Sequence, residues 1–312
     1  MKLQKLVCLG FSGGELGDSY WEELDQFVEA RVLAADEAAL SANTDVDGLL
    51  VRLGAKVGKD LIDTLPNLKY IGMFGTGYGG IDTAYAASKD ITVTNIADYA
   101  TESVTEFTFG ILLEYLRDIA KARAKAKVGD YSDDFTGGEI KGKKFGVIGL
   151  GDIGRRTAQL AQAFGAEVCY WSRNRKEDIE ATGVTYCELD ELLATSDIVT
   201  LNLALNPETE GIINAERVAT IKHHAIFINP SPMELVDFSA LTDRLTKNDM
   251  IFMLDHSDEM TEEQLKTLQP LDNSIVYPAI AYLSREAGQL KKRIYIDNLK
   301  NYLDGKATNK VN

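Results

Sequence analysis

Three glycines at positions 149, 151 and 154 have the spacing of a phosphate-binding turn, Gly-x-Gly-x-x-Gly. An apolar run at 145–148 precedes them and a stretch of helical character follows, which is the strand-to-helix context that the motif requires. In that context the glycines permit a tight turn, a close approach of the backbone to a pyrophosphate, and packing of the helix on the strand. The N–H groups that open the helix then bind phosphate oxygens. A glycine-rich turn without a ligand is the alternative. The residues that we assign to a bound dinucleotide are Gly149, Gly151, Asp152, Ile153 and Gly154.

The residues after the next apolar run, at 168–171, indicate which dinucleotide binds. A site for NAD usually has Asp or Glu at this strand end, where the carboxylate accepts hydrogen bonds from the ribose 2′-hydroxyl. This chain has Ser172, Arg173, Asn174 and Arg175 instead. A carboxylate would repel a 2′-phosphate, whereas a hydroxyl and two guanidinium groups would bind it. We therefore predict NADP(H) as the cofactor; the alternative is that both arginines are solvated loop charges.

Alternating strands and helices must position these residues. Short apolar runs alternate with stretches of helical character along the chain, a pattern typical of parallel sheets covered by helices. The predicted strands form two series, at 3–9, 32–35, 48–51, 70–73 and 93–95, and at 144–148, 168–171, 198–203, 225–229, 251–254 and 274–277. The sequence therefore predicts an α/β protein with two Rossmann-like or flavodoxin-like domains that contain parallel sheets.

The segments that flank the second series set the predicted domain boundaries. A helix near 102–120 is predicted between the two series, with Ser103 and Glu106 as a possible capping box at its start. The polar, glycine-rich segment 126–143 predicts a loop or arm, and a last helix is predicted at about 285–304, from where the chain could return to the first domain. We therefore expect a discontinuous first domain, 1–100 plus 285–312, and a dinucleotide-binding domain, 101–284.

The composition limits the possible partners. Of 312 residues, 33 are Lys or Arg and 48 are Asp or Glu, and the net charge of −15 disfavours nucleic acid and anionic membranes. No apolar run reaches the roughly 18 residues of a membrane span. The N-terminal residues have too short an apolar core for a signal peptide and are predicted to form a strand. Cys8, Cys169 and Cys187 are expected to be reduced packing residues in a cytoplasmic protein, and no metal site is predicted.

The order of the motifs resembles the D-isomer-specific 2-hydroxyacid dehydrogenases over essentially the whole chain. Segment 74–82 (FGTGYGGID) looks like the glycine loop of that family's substrate domain, and 204–214 (ALNPETEGIIN) looks like its post-strand loop. Segment 172–176 (SRNRK) is similar to the glyoxylate and hydroxypyruvate reductase branch, which prefers NADPH. The resemblance implies two α/β domains with a cofactor cleft between them, of which the first is the substrate (lid) domain, and a homodimer formed through the cofactor domains. It also implies cofactor contacts at Leu203, Pro207, Asn229 and Asp255, and substrate contacts at Gly75, Thr76, Gly77 and Tyr78.

The chemistry departs from this resemblance at three positions. The family reduces a 2-keto acid by hydride transfer: an Arg binds the carboxylate and carbonyl, a His protonates the carbonyl oxygen, and a Glu keeps that His protonated. In this sequence the matching positions are Pro232, Met260 and Ala279, none of which carries a charge or a side-chain donor. A positioned general acid contributes roughly 10²–10⁴ in rate. We therefore do not expect an ordinary 2-hydroxyacid dehydrogenase.

Two functions fit these observations. The first is an NADP(H)-dependent oxidoreductase that acts on a small anionic or carbonyl-containing substrate with a different catalytic set. His256 is the first candidate proton donor, because it follows Asp255 at a strand end and imidazole titrates near neutral pH; a hydrogen-bonded loop histidine is the alternative. Tyr282 and Glu259 are further candidates; for Tyr282 the favoured alternative is an aromatic packed at the domain junction. Arg52 could bind an anionic substrate or pair with a neighbouring carboxylate. The second function is a catalytically inactive NADP(H)-binding homologue that serves as a sensor or dimeric scaffold.

Overall fold

The computed structural model describes residues 2–52 and 54–312. These residues divide into two compact units. Unit 1 consists of the described residues up to Ala100 together with Ser284–Asn312, and unit 2 is Thr101–Leu283. Each unit contains one sheet and is described by itself.

Unit 1 has a five-stranded sheet whose neighbouring strands pair in parallel, in the order β2-β1-β3-β4-β5. Its strands are β1 (Leu3–Leu9), β2 (Val28–Ala34), β3 (Gly48–Arg52), β4 (Tyr70–Phe74) and β5 (Thr92–Thr94). Strand β2 begins at Val28, earlier than the predicted start at 32. The prediction missed its first residues because β2 is an edge strand. Its next residues, Glu29 and Ala30, are exposed, so the first half of β2 has no continuous apolar run to reveal it.

Unit 2 has a seven-stranded parallel sheet in the order β12-β11-β10-β9-β6-β7-β8. Its strands are β6 (Lys144–Ile148), β7 (Glu167–Trp171), β8 (Thr185–Tyr186), β9 (Ile198–Leu201), β10 (Ile226–Asn229), β11 (Ile251–Leu254) and β12 (Ser274–Val276). Strand β6 lies between β7 and β9, so the chain crosses from one side of β6 to the other after β8. In open α/β sheets, ligands bind at the carboxyl ends of the strands beside such a switch point.

Both faces of each sheet are buried in hydrophobic clusters. In β1, Val7 and Leu9 belong to one cluster, whereas Leu6 and Cys8 belong to another. Because successive side chains of a strand point to opposite faces, these clusters cover the two faces of the unit 1 sheet. Unit 2 likewise has two clusters. Strands buried on both faces read as continuous apolar runs, and this burial confirms the predicted α/β class with two parallel-sheet, Rossmann-like domains.

The helices connect these strands. They are α1 (Asp18–Asp25), α2 (Glu37–Ser41), α3 (Lys59–Asp63), α4 (Thr83–Ser88), α5 (Thr101–Leu116), α6 (Ile119–Lys127), α7 (Asp152–Ala163), α8 (Glu177–Glu180), α9 (Leu189–Thr195), α10 (Ala215–Thr220), α11 (Phe238–Leu245), α12 (Glu262–Leu268) and α13 (Arg285–Leu303), with short 3₁₀ turns at Met233–Leu235 and Ser257–Glu259. Several begin at a side chain that accepts a hydrogen bond from the backbone of the first turn, such as Asp82, Asp237 and Ser284.

The helix predicted near 102–120 is in fact two helices. The helix α5 ends at Leu116, and Asp118, in the left-handed conformation with φ 48°, separates it from α6. The predicted capping box is also wrong, because α5 begins at Thr101, before Ser103. The Ser103 hydroxyl instead donates a hydrogen bond to the carbonyl oxygen of Ala281 at 2.7 Å. The predicted loop at 126–143 begins only after Lys127, where α6 ends.

The cysteines are packing residues. Cys8, Cys169 and Cys187 are buried and free, as predicted. Burial raises the pKa of the Cys8 and Cys169 thiols to about 12, and thiols that stay protonated are poor nucleophiles. Within residues 2–52 and 54–312, no helix is both long and apolar enough to span a membrane.

Candidate functional site

The three glycines of the phosphate-binding turn differ in what surrounds them. Gly149 has φ +88°, and a Cβ there would overlap the carbonyl oxygen of Asn202. A Cβ on Gly154 would overlap the carbonyl oxygen of Gly149. A Cβ on Gly151, in contrast, would meet no atom within 4 Å. The protein's own packing therefore requires the first and third glycines, whereas the second keeps a space open, as a bound pyrophosphate requires.

The helix α7 starts directly at this turn. Gly151 precedes it in an extended conformation, and no side chain caps it. The backbone N–H of Arg155 donates to the carbonyl oxygen of Gly151 at 2.8 Å, so the N–H groups of the preceding first-turn residues have no partner within the helix. These N–H groups and the positive end of the helix dipole form an anion-binding site beside the open space at Gly151.

A cavity of about 440 Å³ extends from the glycine turn along the carboxyl ends of β7 and β9. Its lining residues are Gly149, Leu150, Gly151, Trp171, Ser172, Arg173, Asn174, Lys176, Asn202, Leu203, Ala204, Asn206, Glu208, Thr209 and Ile212. Of the predicted cofactor residues, the structure brings together at this cavity Gly149, Gly151, Ser172, Arg173, Asn174 and Leu203. The prediction missed Lys176 as a lining residue. Among the described residues, the lining does not include the predicted Asp152, Ile153, Gly154, Arg175, Pro207, Asn229 and Asp255.

The two predicted arginines at the end of β7 have different neighbours. The guanidinium of Arg173 pairs with the Glu208 carboxylate, and both side chains are largely exposed. Arg175 donates to Glu180 at 3.1 and 2.6 Å and lies 5.2 Å from the centre of the Tyr186 ring. Its hydrogen bond to Glu180 raises the pKa of Arg175 and lowers that of Glu180. Arg173 therefore belongs to the cavity, whereas Arg175 is held by α8.

Unpartnered polar atoms lie at the carboxyl ends of three neighbouring strands. In the described part of the chain, Oδ1 of Asn202, Nδ2 of Asn229 and Nδ1 of His256 are buried without a hydrogen-bond partner. They follow or end β9, β10 and β11, which are adjacent in the sheet. A buried polar atom without a partner costs about 1–3 kcal/mol. This row of atoms, together with the open space at Gly151, fits an extended polar ligand such as a nicotinamide dinucleotide.

Asp255, at the end of β11, holds the loop that follows β12. One of its carboxylate oxygens accepts hydrogen bonds from the backbone N–H groups of Ile280 and Ala281, both at 3.0 Å. Burial raises the pKa of Asp255, and these two hydrogen bonds oppose that shift. Tyr282, the residue after this anchor, has a relative exposure of 39%. Asp255 thus links the end of β11 to residues 280–281. The predicted donor His256 directly follows Asp255, and the predicted donor Tyr282 directly follows residue 281.

His256 and Glu259 form a pair on the 3₁₀ turn after β11. Nδ1 of His256 lies 3.4 Å from Oε2 of Glu259, which is an ion-pair distance without the geometry of a hydrogen bond. The His256 side chain is 25% exposed, so solvent reaches part of it. Burial raises the pKa of Glu259, and the charge of His256 opposes that shift. An imidazole next to a carboxylate is a chemically sound proton donor.

The three positions that replace the catalytic set carry no such group. Met260 packs against the hydrophobic cluster of the β9–β11 side. Pro232 and Ala279 are half-buried. None of these three side chains carries a charge or can donate a proton.

In unit 1, the predicted substrate loop follows β4. Its backbone is fixed by three contacts: Ile96 N–H donates to the Gly75 carbonyl, the Thr76 hydroxyl to the Ile96 carbonyl, and the Asn95 amide to the Thr76 carbonyl, at 2.9, 2.9 and 2.8 Å. Gly77 and Tyr78 are exposed. Arg52, at the end of β3, pairs with Glu15 at 2.8 Å and keeps 54% of its side chain exposed.

Comparisons with known proteins agree with this geometry. A family model for the NAD-binding domain of D-isomer specific 2-hydroxyacid dehydrogenases matches residues 109–281. A hydroxypyruvate reductase of Blautia hydrogenotrophica is 31% identical over an alignment 315 residues long, which covers 95% of this chain and 96% of that protein.

The chain belongs to the D-isomer specific 2-hydroxyacid dehydrogenase family.

Two solved structures extend the likeness. A D-lactate dehydrogenase from Aquifex aeolicus, complexed with NAD and lactic acid, is 25% identical with a TM-score of 0.82, and 96% of each chain is covered. An acyclic imino acid reductase in complex with NADPH and D-Arg is 25% identical with a TM-score of 0.86, covering 98% of this chain and 100% of that one. Membership in this family makes the protein an oxidoreductase of the NAD(P)-dependent kind, with a nicotinamide cofactor.

Proposed function

We propose that the protein is an NADP(H)-dependent oxidoreductase that acts on a small carbonyl or hydroxy compound with a non-standard catalytic set. Unit 2 binds the cofactor and unit 1 binds the substrate. The observation that supports NADP(H) is the end of β7, where Ser172, Arg173 and Lys176 line the cavity and the strand end carries no carboxylate. Glu208 also lines this cavity, but its pair with Arg173 is exposed, and such pairs are weak enough for a phosphate to displace.

The cofactor preference tests this proposal. We expect NADPH to bind more tightly than NADH, and the double variant Arg173→Ala/Lys176→Ala to lose that preference, by about tenfold for each charge-assisted contact removed. Affinity for NADH should change little, because NADH has no 2′-phosphate. Titration calorimetry with both cofactors measures the effect. The matched control is Arg175→Ala, which removes an equal charge that Glu180 already holds. Equal affinities of the native protein for NADPH and NADH would refute the proposal.

The bound nicotinamide supplies a hydride; the chain must bind and orient the acceptor and provide a proton where one is needed. His256, with Glu259 beside it, is the first candidate to donate that proton to a carbonyl oxygen. Asp255 keeps the loop at 280–281 in place through its backbone hydrogen bonds. These residues give a carbonyl reductase a proton donor without the family's own His position.

Ala279 stands where the family has its His, and this favours a second substrate class, the imines of 2-oxo acids. An iminium nitrogen already carries its proton, so hydride addition to the carbon requires no general acid, and the amine formed then takes a proton from water. A solved relative of this chain is an imino acid reductase with NADPH. A site that lacks the family's acid at Ala279 is therefore less impaired for this substrate than for a ketone.

Turnover with and without ammonium separates these possibilities. We expect the kcat/KM for glyoxylate, pyruvate and hydroxypyruvate to stay below about 10⁴ M⁻¹s⁻¹, the low end of ordinary enzymes, because Pro232 and Ala279 supply neither anchor nor acid. Added ammonium, which forms the imines, should raise NADPH consumption if imines are the substrates. A higher kcat/KM without ammonium would show that other residues fully replace the family's set. NADPH binding without turnover of any substrate would favour the catalytically inactive NADP(H)-binding homologue.

A further inference from the structure

The C-terminal helix α13 places the ammonium of one lysine, Lys291, against two aromatic rings. The Lys291 ammonium lies 4.4 Å from the centre of the Phe74 ring and 5.3 Å from that of Tyr99. Within residues 2–52 and 54–312 it takes part in no hydrogen bond or ion pair that would neutralise it. Burial lowers the pKa of Lys291, the positive charge of Arg52 lowers it further, and Glu15 opposes both. The ammonium is thus partly desolvated and lies against two aromatic rings.

Arg52 stands beside this lysine on the neighbouring strand. Arg52 and Phe74 are register partners at the carboxyl ends of β3 and β4, so the ring under Lys291 belongs to the residue paired with Arg52. Nη1 of Arg52 pairs with Oε1 of Glu15, and about half of the Arg52 side chain is exposed. The Glu15 carboxylate acts on both cations. Taken together, Arg52, Lys291 and Glu15 carry a net charge of +1.

We propose that Arg52 and Lys291 form a carboxylate-binding subsite of unit 1, which anchors a 2-oxo or 2-imino carboxylate substrate. A monoanion neutralises the remaining charge, and the aromatic faces of Phe74 and Tyr99 shield the ammonium from water, which strengthens its attraction to an anion. The cost of desolvating the Lys291 ammonium is already incurred on folding, so it does not oppose binding. The subsite adjoins Gly75, which follows Phe74 directly and opens the exposed loop to Tyr78.

This assignment rests on the proposed function for the substrate's chemistry, and it explains how a carboxylate can be held although Pro232 replaces the family's Arg. The guanidinium fork offers its remaining N–H groups to the carboxylate, and the ammonium offers a second, desolvated charge. Anion binding favours the charged form of Lys291. In alkaline buffer, binding is therefore coupled to proton uptake by Lys291, and affinity falls as the pH rises.

The test uses oxamate, an unreactive 2-oxo carboxylate analogue, and oxamide, in which an amide replaces the carboxylate. Calorimetric titration of the whole protein, with and without NADPH, should show oxamate binding that Lys291→Met and Arg52→Gln each weaken at least tenfold. Oxamide should bind more weakly than oxamate to the native protein. Titrations in two alkaline buffers of different ionisation enthalpy should show proton uptake in the native protein and none in Lys291→Met.

The matched control is Lys292→Met, which removes the same charge one position along α13, and it should bind oxamate as the native protein does. NADPH fluorescence and circular dichroism on each variant report folding and cofactor binding separately. Native oxamate affinity in Lys291→Met, or no oxamate binding to the native protein in either state, would overturn the subsite. Failure of NADPH to bind while oxamate binding persists would refute the proposed cofactor and leave the anion subsite standing.

Discussion

Gly151→Val is expected to abolish saturable NADPH binding while the protein remains folded. Gly151 has φ −75° and ψ −164°, a backbone conformation that valine adopts without strain. A Cβ at this position meets no atom of the protein within 4 Å, so the added side chain has room in the unliganded protein. That room is where the pyrophosphate would approach the backbone, and the valine methyl groups would occupy it. Titration of NADPH fluorescence should show at least a hundredfold weaker binding, with the melting temperature little changed.

Two further glycines in unit 2 serve as comparisons. A Cβ on Gly110, on the exposed side of α5, would likewise meet no atom within 4 Å, so Gly110→Val should leave NADPH binding unchanged. Gly154→Val should instead destabilise the fold, because its Cβ would overlap the Gly149 carbonyl. Native NADPH affinity in Gly151→Val would show that the phosphate-binding turn has been wrongly assigned.

The sheets were predictable from the sequence because their strands are buried on both faces. The predicted bounds of β1, β6 and β11 match the structure, since continuous apolar runs end where the strands end. The start of β2 was not predictable, because an edge strand carries polar residues on its outer side. The break between α5 and α6 was also missed: Asp118 takes a left-handed conformation that a periodicity argument does not anticipate.

The cofactor end of the site was partly predictable. The glycine turn is recognisable because its chemistry lies in consecutive residues, which the switch point of the sheet places at the cavity. The choice between Arg175 and Lys176 was not predictable, because neighbouring side chains leave the backbone in different directions. Glu180, on α8, holds Arg175, and that partner becomes evident only in the folded chain.

The role of Lys291 was invisible in the sequence for a different reason. It lies on α13, which is far along the chain from Arg52 and Phe74, and only the return of this helix to unit 1 brings it over the Phe74 ring. No local motif marks such a lysine. Arguments from residue spacing therefore cannot identify a charged residue that only the fold of the whole chain brings to a site.

His256→Ala is expected to lower kcat by roughly 10²–10⁴ for a carbonyl substrate, with NADPH affinity unchanged, because a positioned general acid contributes that much. His256→Asn should lose as much, since an amide retains hydrogen bonding but cannot donate a proton. Glu259→Gln tests the pair: it removes the carboxylate that lies 3.4 Å from Nδ1 of His256, so kcat for a carbonyl substrate should fall if the pair acts together. Tyr282→Phe, which removes the hydroxyl of a partly exposed side chain, should have the smaller effect.

Because an iminium needs no donor, the same His256 variants should lose little activity on an imine. Steady-state rates on both substrate types therefore identify which chemistry the site performs. Near-native turnover of a carbonyl substrate by His256→Ala would exclude His256 as the donor and direct attention to Tyr282, Tyr78 and Glu259.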